Sequence, residues 1–434
     1  MDIHALSGMR DYIGDSAEDL HHLFLVAQRL FQSAGFREIS TPLMEDGRLF
    51  DRSLGSASDV VSKEMYTIEQ GGDRIIALRP ENTAGVVRSV IENDLMANRN
   101  QLKTYYTGPM FRHERPQSGR LRQFHQLGVE VFGREDALCD AEVIQLGDIL
   151  LDRLELSDFT LLLNTIGDPP DRRAFEQALR NALSPYEEDL PEDDRRRLTE
   201  NPLRVLDSKQ DFTNRLVEEH APDLHDFLGE GAREHFDTVR EYLETMGIEY
   251  RVDPELVRGL DYYRRTTFEF VTGELGSQDA VLAGGRYDGL SEQLGGDPCP
   301  AMGFAAGAER IMLLRGTYDQ NDVDTHADLF LIPFNQQCLK QLIPLASHLR
   351  NQTVGRQFLR VELGSPKNSL RSLMRRANRY DAKLVLMLGD DELNAGTVAV
   401  KNMKSGEQEP IEFTDIETVT QQLVTRVENL SESL

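Results

Sequence analysis

The stretch TYYTGPMFRHERPQSGRLRQFHQLGVEVFG, residues 104–133, decides the fold of this chain. It predicts two strands joined by a polar loop that is longer than a tight hairpin turn requires. Because side chains alternate along a strand, Arg112 and Glu114 share one face, and Gln126 and Glu130 share a face of the return strand. Such a charged sheet face is typical of a polar pocket for a charged ligand, although a solvated hairpin face has the same pattern.

Two further segments carry polar groups of the same kind. ALRPENTAG (77–85) places Glu81 and Thr83 just before a predicted helix, where Thr83 is also a candidate N-cap. LVRGLDYYRRTTFEFV (256–271) reads as a strand crowded with arginines and tyrosines, and an edge strand blunted by charges is an equally good interpretation. Neighbouring residues of a strand face opposite sides, so we expect at most one of its adjacent tyrosines to face a pocket.

A fourth segment combines small residues with a helix start. AGGRYDGL (283–290) is followed by PAMGFAAGAERIMLL (300–314), whose small side chains would let a flat ligand lie close to the backbone. The predicted helix carries Arg310 in its first turn and therefore offers a positive end and a guanidinium group to a polyphosphate. Taken alone, this segment is weak evidence for a nucleotide site, and it lacks the G-x-G-x-x-G order of a dinucleotide site.

The rest of the first domain is predicted to be helical at its start and in its middle. A helix over about 16–34 has Ser16 as its expected N-cap and Asp19 as the capping-box partner. The following segment, 36–46, reads as one strand, which its proline confines to an edge or a bulge. From about 170 to 245 the sequence is helical and highly charged between two strand-rich blocks, as expected for an insertion.

The polar stretch 316–328 reads as a linker, which divides the chain into domains 1–325 and 326–434. In the second domain, apolar runs alternate with helical segments, a pattern typical of a compact α/β domain with a mixed or parallel sheet.

Composition excludes several classes of protein. The chain of 434 residues has 48 basic and 74 acidic residues, and its net charge of -26 disfavours a non-specific nucleic-acid binder. Its three cysteines form no CxxC pair, and the sequence contains no HExxH motif and no GxxxxGK[ST] loop. No apolar run is long enough to span a membrane, and no secretory leader is recognisable, so we expect a cytoplasmic protein without membrane contact.

Together and in this order, the four segments resemble the signature motifs of class II aminoacyl-tRNA synthetases, in the form found in histidyl-tRNA synthetases. The resemblance covers nearly the whole chain, from SGMRDYIG (7–14) to LMLGDDELNAGTVAVKNMKSGEQ (386–408). FRHERP alone is typical of class II, whereas RGLDYY with AGGRYDGL is specific for the histidine enzymes. The resemblance implies an α+β fold, with an antiparallel-sheet catalytic domain, a helical insertion and a C-terminal α/β anticodon-binding domain.

The resemblance also implies a reaction, in which histidine and ATP form histidyl-adenylate and the histidyl group is transferred to the 3' end of tRNA(His). It gives Arg112 and Arg258 the catalytic positions on opposite sides of the α-phosphate, and Arg310 the γ-phosphate. It places either Arg120 or Arg122, both from the loop, near ATP. Mg²⁺ is expected on the phosphates, and no side chain is assigned as its ligand. The implied ATP-binding residues are Arg112, Glu114, Arg120, Arg122 and Arg310.

Histidine recognition requires an anion for the α-ammonium group and an acceptor for the imidazole N–H. The resemblance assigns the ammonium to Glu81, Thr83 and Gln126. It assigns the imidazole to Glu130 and a tyrosine. For that tyrosine we favour Tyr263, with Tyr262 or Tyr287 as neighbours.

For tRNA, the resemblance directs the loop with Arg115, Gln117 and Arg120 to the acceptor end and the C-terminal domain to the anticodon. Segment 356–383 contains eight basic and two acidic residues. Within it, Arg371, Arg375 and Arg379 lie four residues apart, so a phosphate-facing stripe and an ordinary solvated basic face are both open.

The first helix and the strand after it form the dimer interface in this class, so a homodimer is expected by analogy. The resemblance leaves one alternative function, an inactive synthetase-like regulatory subunit of ATP phosphoribosyltransferase in histidine biosynthesis. A synthetase for proline, threonine or glycine is a further alternative, which RGLDYY and the lack of zinc-ligand motifs disfavour.

Overall fold

The computed structural model describes residues 3–55, 58, 60–69, 75–115, 119–208, 210–257, 262–275, 280–319, 326–355 and 357–431. The chain forms two compact units, Met1–Asn321 and Asp322–Leu434. Two residues assigned from the sequence, Arg258 and Gln117, lie outside the described residues.

An eight-stranded sheet is the framework of the first unit, and its strand order is β1-β5-β6-β11-β10-β9-β7-β8. The pairs β1–β5 and β7–β8 are parallel and the other pairs are antiparallel. A separate three-stranded sheet has the order β2-β4-β3. The strands are β1 Arg37–Glu38, β2 Met44–Asp46, β3 Thr67–Glu69, β4 Ile75–Leu78, β5 Leu102–Phe111, β6 Gln123–Phe132, β7 Thr160–Thr165, β8 Arg251–Val252, β9 Arg264–Val271, β10 Ala280–Arg286 and β11 Ala301–Gly307.

Helices cover one face of the large sheet and extend from its edge. They are α1 Asp15–Ser33, α2 Gly47–Leu54, α3 Thr83–Glu92, α4 Ala137–Arg153, α5 Pro169–Leu183, α6 Glu192–Glu200, α7 Asp211–His220, α8 Glu230–Thr245, α9 Leu290–Gln293 and α10 Ala308–Leu314. The main core joins α1, α4, α8 and α10 to alternate residues of β6 such as Leu127 and Val129. Their neighbours Gln126 and Glu130 therefore face the opposite side of the sheet.

Two local predictions near the amino terminus were wrong. Segment 36–46 forms two short strands rather than one, although each lies at the edge of its sheet as its proline predicted. Pro42 between them has no N–H to donate to a strand ladder. Helix α1 has Gly14 as its N-cap, and the Ser16 hydroxyl instead donates to the carbonyl of Ile13. Asp19 serves no capping box, since its carboxylate accepts from Arg315 over 3.0 Å.

Helices α5 to α8 leave the sheet after β7 and return at β8, so they form the insertion that the charged segment predicts. Their own core includes Phe175, Leu179 and Leu198 and continues into that of α2 and α3.

The second unit has a five-stranded mixed sheet of order β15-β12-β16-β17-β18. Strand β12 is parallel to both neighbours, whereas β16, β17 and β18 pair antiparallel. Strands β13 and β14 pair separately. The elements are β12 Leu329–Pro333, α11 Gln336–Arg350, β13 Thr353–Val354, β14 Gln357–Phe358, β15 Val361–Leu363, α12 Leu370–Arg379, β16 Leu384–Leu388, α13 Asp390–Ala395, β17 Thr397–Asn402, β18 Gln408–Glu412 and α14 Ile416–Ser431.

Helix α12 buries Leu373 and Ala377 and exposes Arg371, Arg375 and Arg379 on its other side. Across the described ranges, none of the helices combines the length and apolar character that crossing a bilayer requires.

Candidate active site

A cavity of about 570 Å³ opens on the face of the large sheet opposite the main core. Most of the residues that the sequence assigned to ATP or histidine line it. They are Glu81, Thr83, Arg112, Glu114, Arg120, Gln126, Glu130, Tyr262, Tyr263, Tyr287 and Arg310. Segments far apart in the sequence therefore meet at one site.

Glu130 lies at the buried end of the cavity and is 1% exposed. The Thr83 hydroxyl donates to its Oε1 over 2.7 Å, and the Tyr287 hydroxyl donates to its Oε2. Burial raises the pKa of Glu130 to about 8, although these two hydrogen bonds act to lower it. The negative charge of nearby Glu81 raises this pKa further. Burial therefore favours the protonated form of this carboxyl group.

Gly303 on β11 pairs with Glu130 on β6 and leaves room for that carboxyl group. A Cβ atom at Gly303 would lie 1.9 Å from Glu130 Oε2 and 2.4 Å from the carbonyl oxygen of Val129. No side chain fits at such distances, so the glycine permits the side chain of Glu130 to lie across the strand.

Glu81 holds the start of α3. Its two carboxylate oxygens accept from the backbone N–H groups of Thr83 over 2.6 Å and Ala84 over 3.0 Å. Burial raises the pKa of Glu81 above its ordinary value, while these N–H groups act against that rise. Thr83 is not the N-cap, since Asn82 occupies that position and the Thr83 hydroxyl points to Glu130.

Gln126 supplies a further polar group to the cavity. Its Oε1 is buried and has no hydrogen-bond partner within the described part of the chain. A buried acceptor without a partner is costly unless a ligand satisfies it. Gln126 is therefore suited to accept from a ligand N–H group.

Three tyrosines form the wall beside Glu130. The ring of Tyr262 lies 4.7 Å from that of Tyr263 and 5.7 Å from that of Tyr287, measured between centroids. Both Tyr262 and Tyr263 line the cavity, so the prediction that at most one of them faces a pocket was wrong. The alternation rule fails here because both residues precede β9, which begins at Arg264.

The other end of the cavity is rich in guanidinium groups. Arg120 Nη1 lies 2.9 Å from Glu114 Oε2, and Arg112 Nη1 lies 3.9 Å from Glu114 Oε1. Arg112 Nε also donates to the carbonyl oxygen of Pro80 over 2.9 Å, and its guanidinium carbon lies 5.3 Å from the centroid of the Phe124 ring.

Arg310 belongs to the same cluster. Burial lowers the pKa of Arg310, and the positive charges of Arg120 and Arg112 lower it further. Glu114 and Glu269 act in the opposite direction. Among the described residues, three guanidinium groups lie together at this end beside Glu114 and Glu269, so it offers several charged donors to a polyanionic ligand.

Two assigned arginines do not line the cavity. Arg122 Nε donates to the carbonyl oxygen of Glu114 over 3.2 Å, and its Nη1 donates to that of Ser7 over 3.4 Å. Arg122 therefore ties the amino-terminal segment to the hairpin. Arg115 is exposed at the start of the loop.

Sequence reasoning missed a network that supports Arg310. The neighbouring Glu309 accepts from the backbone N–H of His125 over 2.9 Å, contacts its Nδ1 over 2.8 Å and accepts from the Tyr12 hydroxyl over 2.7 Å. These contacts fasten α10 to β6 and to the amino-terminal segment. Separations of 184 and 297 residues leave no local signal for them.

With this geometry established, comparison with known proteins identifies the family. The histidyl-tRNA synthetase family profile matches residues 8–311. The chain belongs to the histidyl-tRNA synthetase family. An anticodon-binding domain profile matches residues 328–423. The family, the class II fold and the C-terminal anticodon-binding domain predicted from the sequence are thereby confirmed.

Relatives from this family match the chain over almost its full length. A protein of a Cyanothece strain named histidine–tRNA ligase is 44% identical over 414 residues, which are 95% of each chain. One of Synechococcus elongatus with the same name is also 44% identical, over 95% of this chain and 94% of its own. The apo histidyl-tRNA synthetase of S. aureus has a TM-score of 0.79 and 32% identity, covering 97% of this chain and 100% of its own.

Proposed function

We propose that this protein ligates histidine to tRNA(His), activating the amino acid with ATP. The observation that carries the proposal is the convergence of Glu81, Glu130, Arg112 and Arg310 on one cavity. The end with the two glutamates suits the imidazole and α-ammonium groups of histidine. The end with the arginines suits a triphosphate. Curated relatives with 44% identity over nearly the whole chain bear the name histidine–tRNA ligase.

Histidine is placed with its imidazole at Glu130. Each oxygen of that carboxyl group takes one hydroxyl donor, which leaves further lone pairs for the imidazole N–H. Competing amino acids such as leucine have no N–H donor in the side chain, so they would leave these buried groups without a hydrogen bond. The α-ammonium group is placed between Glu81, Thr83 and Gln126, whose buried Oε1 is a free acceptor among the described residues.

ATP is placed at the arginine end, with Arg112 on the α-phosphate and Arg310 on the γ-phosphate. The histidine carboxylate attacks the α-phosphate in line with the departing pyrophosphate, and the arginines offset the charge that develops. Arg120 and Glu114 complete the nucleotide site. Arg258, outside the described residues, stays our proposed second catalytic arginine. We leave Arg122 out of the set because its guanidinium group binds backbone carbonyls elsewhere.

Magnesium enters this proposal with the nucleotide. Mg²⁺ prefers oxygen ligands, keeps several waters and would neutralise the β- and γ-phosphates of bound ATP. Glu269 lines the same cavity and its charge acts on Arg310, so we place it near the hydrated ion. We assign no side chain as a direct ligand.

The tRNA is placed in contact with both units. Arg115 and Gln117 belong to the loop that we assign to the acceptor end. The exposed arginines of α12 form the phosphate-facing stripe for the anticodon arm: Arg371, Arg375 and Arg379. Within the described chain, none of the three is engaged by an acidic side chain, in contrast to Arg376, which pairs with Glu362 over 3.1 Å. Because charging serves translation, we propose a cytoplasmic location.

A homodimer is part of the same proposal. Register places Met44 and Ile68 on one face of the three-stranded sheet, and they are 56% and 46% exposed. Large apolar side chains exposed together are typical of a surface that another chain covers. Sedimentation velocity of the full chain tests this point, with a dimer as the expected species and a monomer at micromolar concentration as the contrary result.

The test of the function is histidine-dependent ATP–pyrophosphate exchange, followed by charging of tRNA(His). We expect exchange with histidine and none with proline, threonine or glycine. A protein that shows no exchange but activates an ATP phosphoribosyltransferase would be the regulatory subunit instead. The retained Arg112 and Arg310 and the C-terminal domain disfavour that alternative.

A further inference from the structure

A chain of charged and polar side chains connects the helical insertion to the strands beside the histidine end of the cavity. We name it the insertion clasp, and it consists of Asp168, Arg265, His235, Asp140 and Arg286. Arg265 Nε and Nη2 each donate to a carboxylate oxygen of Asp168 over 2.9 Å. Arg265 Nη1 lies 3.4 Å from His235 Nδ1, and His235 Nε2 lies 2.8 Å from Asp140 Oδ2. Arg286 binds the same Asp140 through Nε, over 3.1 Å, and through Nη2.

The neighbours of His235 determine its tautomer. Although burial acts to raise it, Arg286 and His235 hold the pKa of Asp140 below its ordinary value, so Asp140 accepts and His235 Nε2 carries the hydrogen. Arg265 can only donate, so His235 Nδ1 presents its lone pair. The ring thus links the Arg265 guanidinium group to the Asp140 carboxylate.

The clasp holds both ends of the insertion. Asp168 is the N-cap of α5, the first insertion helix, and His235 lies on α8, the last one. The backbone of Arg265 adds two hydrogen bonds to the same place, since its N–H donates to Gly167 and its carbonyl accepts from Ile166. One arginine on β9 is thus attached to the first and the last helix of the insertion.

The clasp also fixes the segments that carry two tyrosines of the histidine pocket. Arg265 has a φ of 54°, a left-handed conformation that a residue other than glycine rarely adopts. It lies in an irregular part of the β9–β10 pairing, between the pairs Thr267–Gly285 and Arg264–Arg286. Such bulges redirect neighbouring side chains, and Tyr263 lies two residues before Arg265.

Arg286 has the corresponding position on β10. Its guanidinium group is fully buried, binds Asp288 over 3.0 Å and donates to the carbonyl oxygen of Arg134 over 2.9 Å. The next residue is Tyr287, whose hydroxyl donates to Glu130. Displacement of Arg286 would therefore move a direct partner of Glu130.

We propose that the insertion clasp positions the histidine pocket, with Arg265 and His235 acting on histidine binding through Tyr263 and Tyr287. This inference rests on the proposed placement of histidine at Glu130. Arg265 and His235 are positioning residues, because neither lines the cavity. Replacing one member removes a hydrogen-bond partner from its neighbours, for example from the buried Asp140, and the strand ends that carry the tyrosines shift in response.

The test uses the full-length chain and histidine-dependent pyrophosphate exchange, with separate KM values for histidine and ATP. We expect His235→Leu to raise the histidine KM about tenfold while the ATP KM changes less than about twofold. His235→Gln, whose amide offers both a donor and an acceptor, is expected to keep the histidine KM close to the wild-type value. Arg265→Lys keeps the charge but loses the bidentate contact with Asp168. Its histidine KM is expected to lie between those of His235→Gln and His235→Leu. It serves as the second variant if His235→Leu does not fold.

Leu243→Ala is the matched control, because Leu243 lies on the same helix as His235, is fully buried, and packs in the main core, which contains none of the three pocket tyrosines. We expect it to lower the melting temperature without changing the histidine KM. The proposal is overturned if Leu243→Ala raises the histidine KM as much as His235→Leu does. It is equally overturned if the clasp variants change both KM values alike or neither of them.

Glu130→Gln, measured in parallel, separates this proposal from the function it rests on. A higher histidine KM in Glu130→Gln, with no change in His235→Leu and Arg265→Lys, overturns the clasp alone. An unchanged histidine KM in Glu130→Gln overturns the placement of histidine itself, and the clasp with it.

Discussion

The two ends of the cavity differ in how their polar groups are satisfied before any ligand binds. At the histidine end, Glu130, Glu81 and Tyr287 are buried and bonded to protein donors or acceptors. At the nucleotide end, the side chains of Arg112 and Arg120 are 24% and 27% exposed and share Glu114. One end is closed and carries two buried carboxyl groups, whereas the other is more open and carries three guanidinium groups.

This contrast indicates a division of labour. A buried, prearranged end penalises any ligand that does not complete its hydrogen bonds, so it supplies amino-acid specificity. An open, cationic end accepts a polyanion together with its metal ion and water, and it stabilises charge that develops during the reaction. Changes at the two ends are therefore expected to affect different kinetic constants.

Arg112→Ala tests the cationic end and has the largest expected effect. We expect kcat for pyrophosphate exchange to fall by about 10²–10³-fold, because a preorganised donor to developing charge is lost. Histidine binding without ATP, measured by calorimetry, changes little. A variant with wild-type kcat would remove Arg112 from the transition state.

Gly303→Ala tests the close approach of Glu130 to the β11 backbone at the closed end. Its Cβ would meet Glu130 Oε2 at 1.9 Å, so the carboxyl group must move, and a misplacement of about 1 Å predicts about a 100-fold loss of kcat/KM for histidine. The matched variant on the same strand is Gly307→Ala, whose Cβ would meet the Arg310 side chain at 3.7 Å. Gly307→Ala keeps the wild-type histidine KM. Equal histidine KM values for the two variants would show that the close approach at Gly303 is not required.

Charge reversal on α12 extends the comparison to the second unit. Arg375→Glu with Arg379→Glu is expected to raise the KM for tRNA about 10–30-fold, because favourable phosphate contacts become repulsive. Pyrophosphate exchange, which needs no tRNA, stays unchanged. Equal damage to exchange and charging contradicts the assignment of this helix to tRNA.

The pH dependence of stability gives the smallest effect. The pKa of Glu130 in the folded protein, about 8, lies above the ordinary glutamate value of about 4.3. The stabilisation from its bound proton is complete below the lower value and is lost as the pH rises to the higher one. Glu130→Gln lacks this loss, so its melting temperature relative to wild type rises by a few degrees between about pH 5 and pH 8. A difference that does not vary with pH would falsify the raised pKa.

Local patterns in the sequence predicted much of the framework. Alternation along residues 123–132 placed Gln126 and Glu130 on one face, and helical charge patterns located α5 to α8. The same rule failed at Tyr262 and Tyr263, because it applies to regular strands and these residues precede one. The prediction of one strand over 36–46 also failed, because the chain passes from one sheet to another around Pro42.

Long-range contacts were beyond the reach of local patterns. The Thr83 hydroxyl bonds Glu130 across 47 residues, and Arg286 binds Asp140 across 146 residues. Family resemblance assigned Glu81, Thr83, Glu130 and Arg310 to one site, but it assigned nothing to Asp140, His235 or Arg265. Their proximity arises from helix packing on the sheet, which periodicity in one segment does not encode.

Separate KM values for histidine and ATP in Glu130→Gln test the division between the two ends most directly. We expect the histidine KM to rise about tenfold or more, because a buried carboxyl group is replaced by an amide with a different hydrogen-bonding pattern. The ATP KM stays within about twofold of wild type, because its ligands lie at the other end of the cavity. An unchanged histidine KM, or an ATP KM that rises as much, would contradict the account.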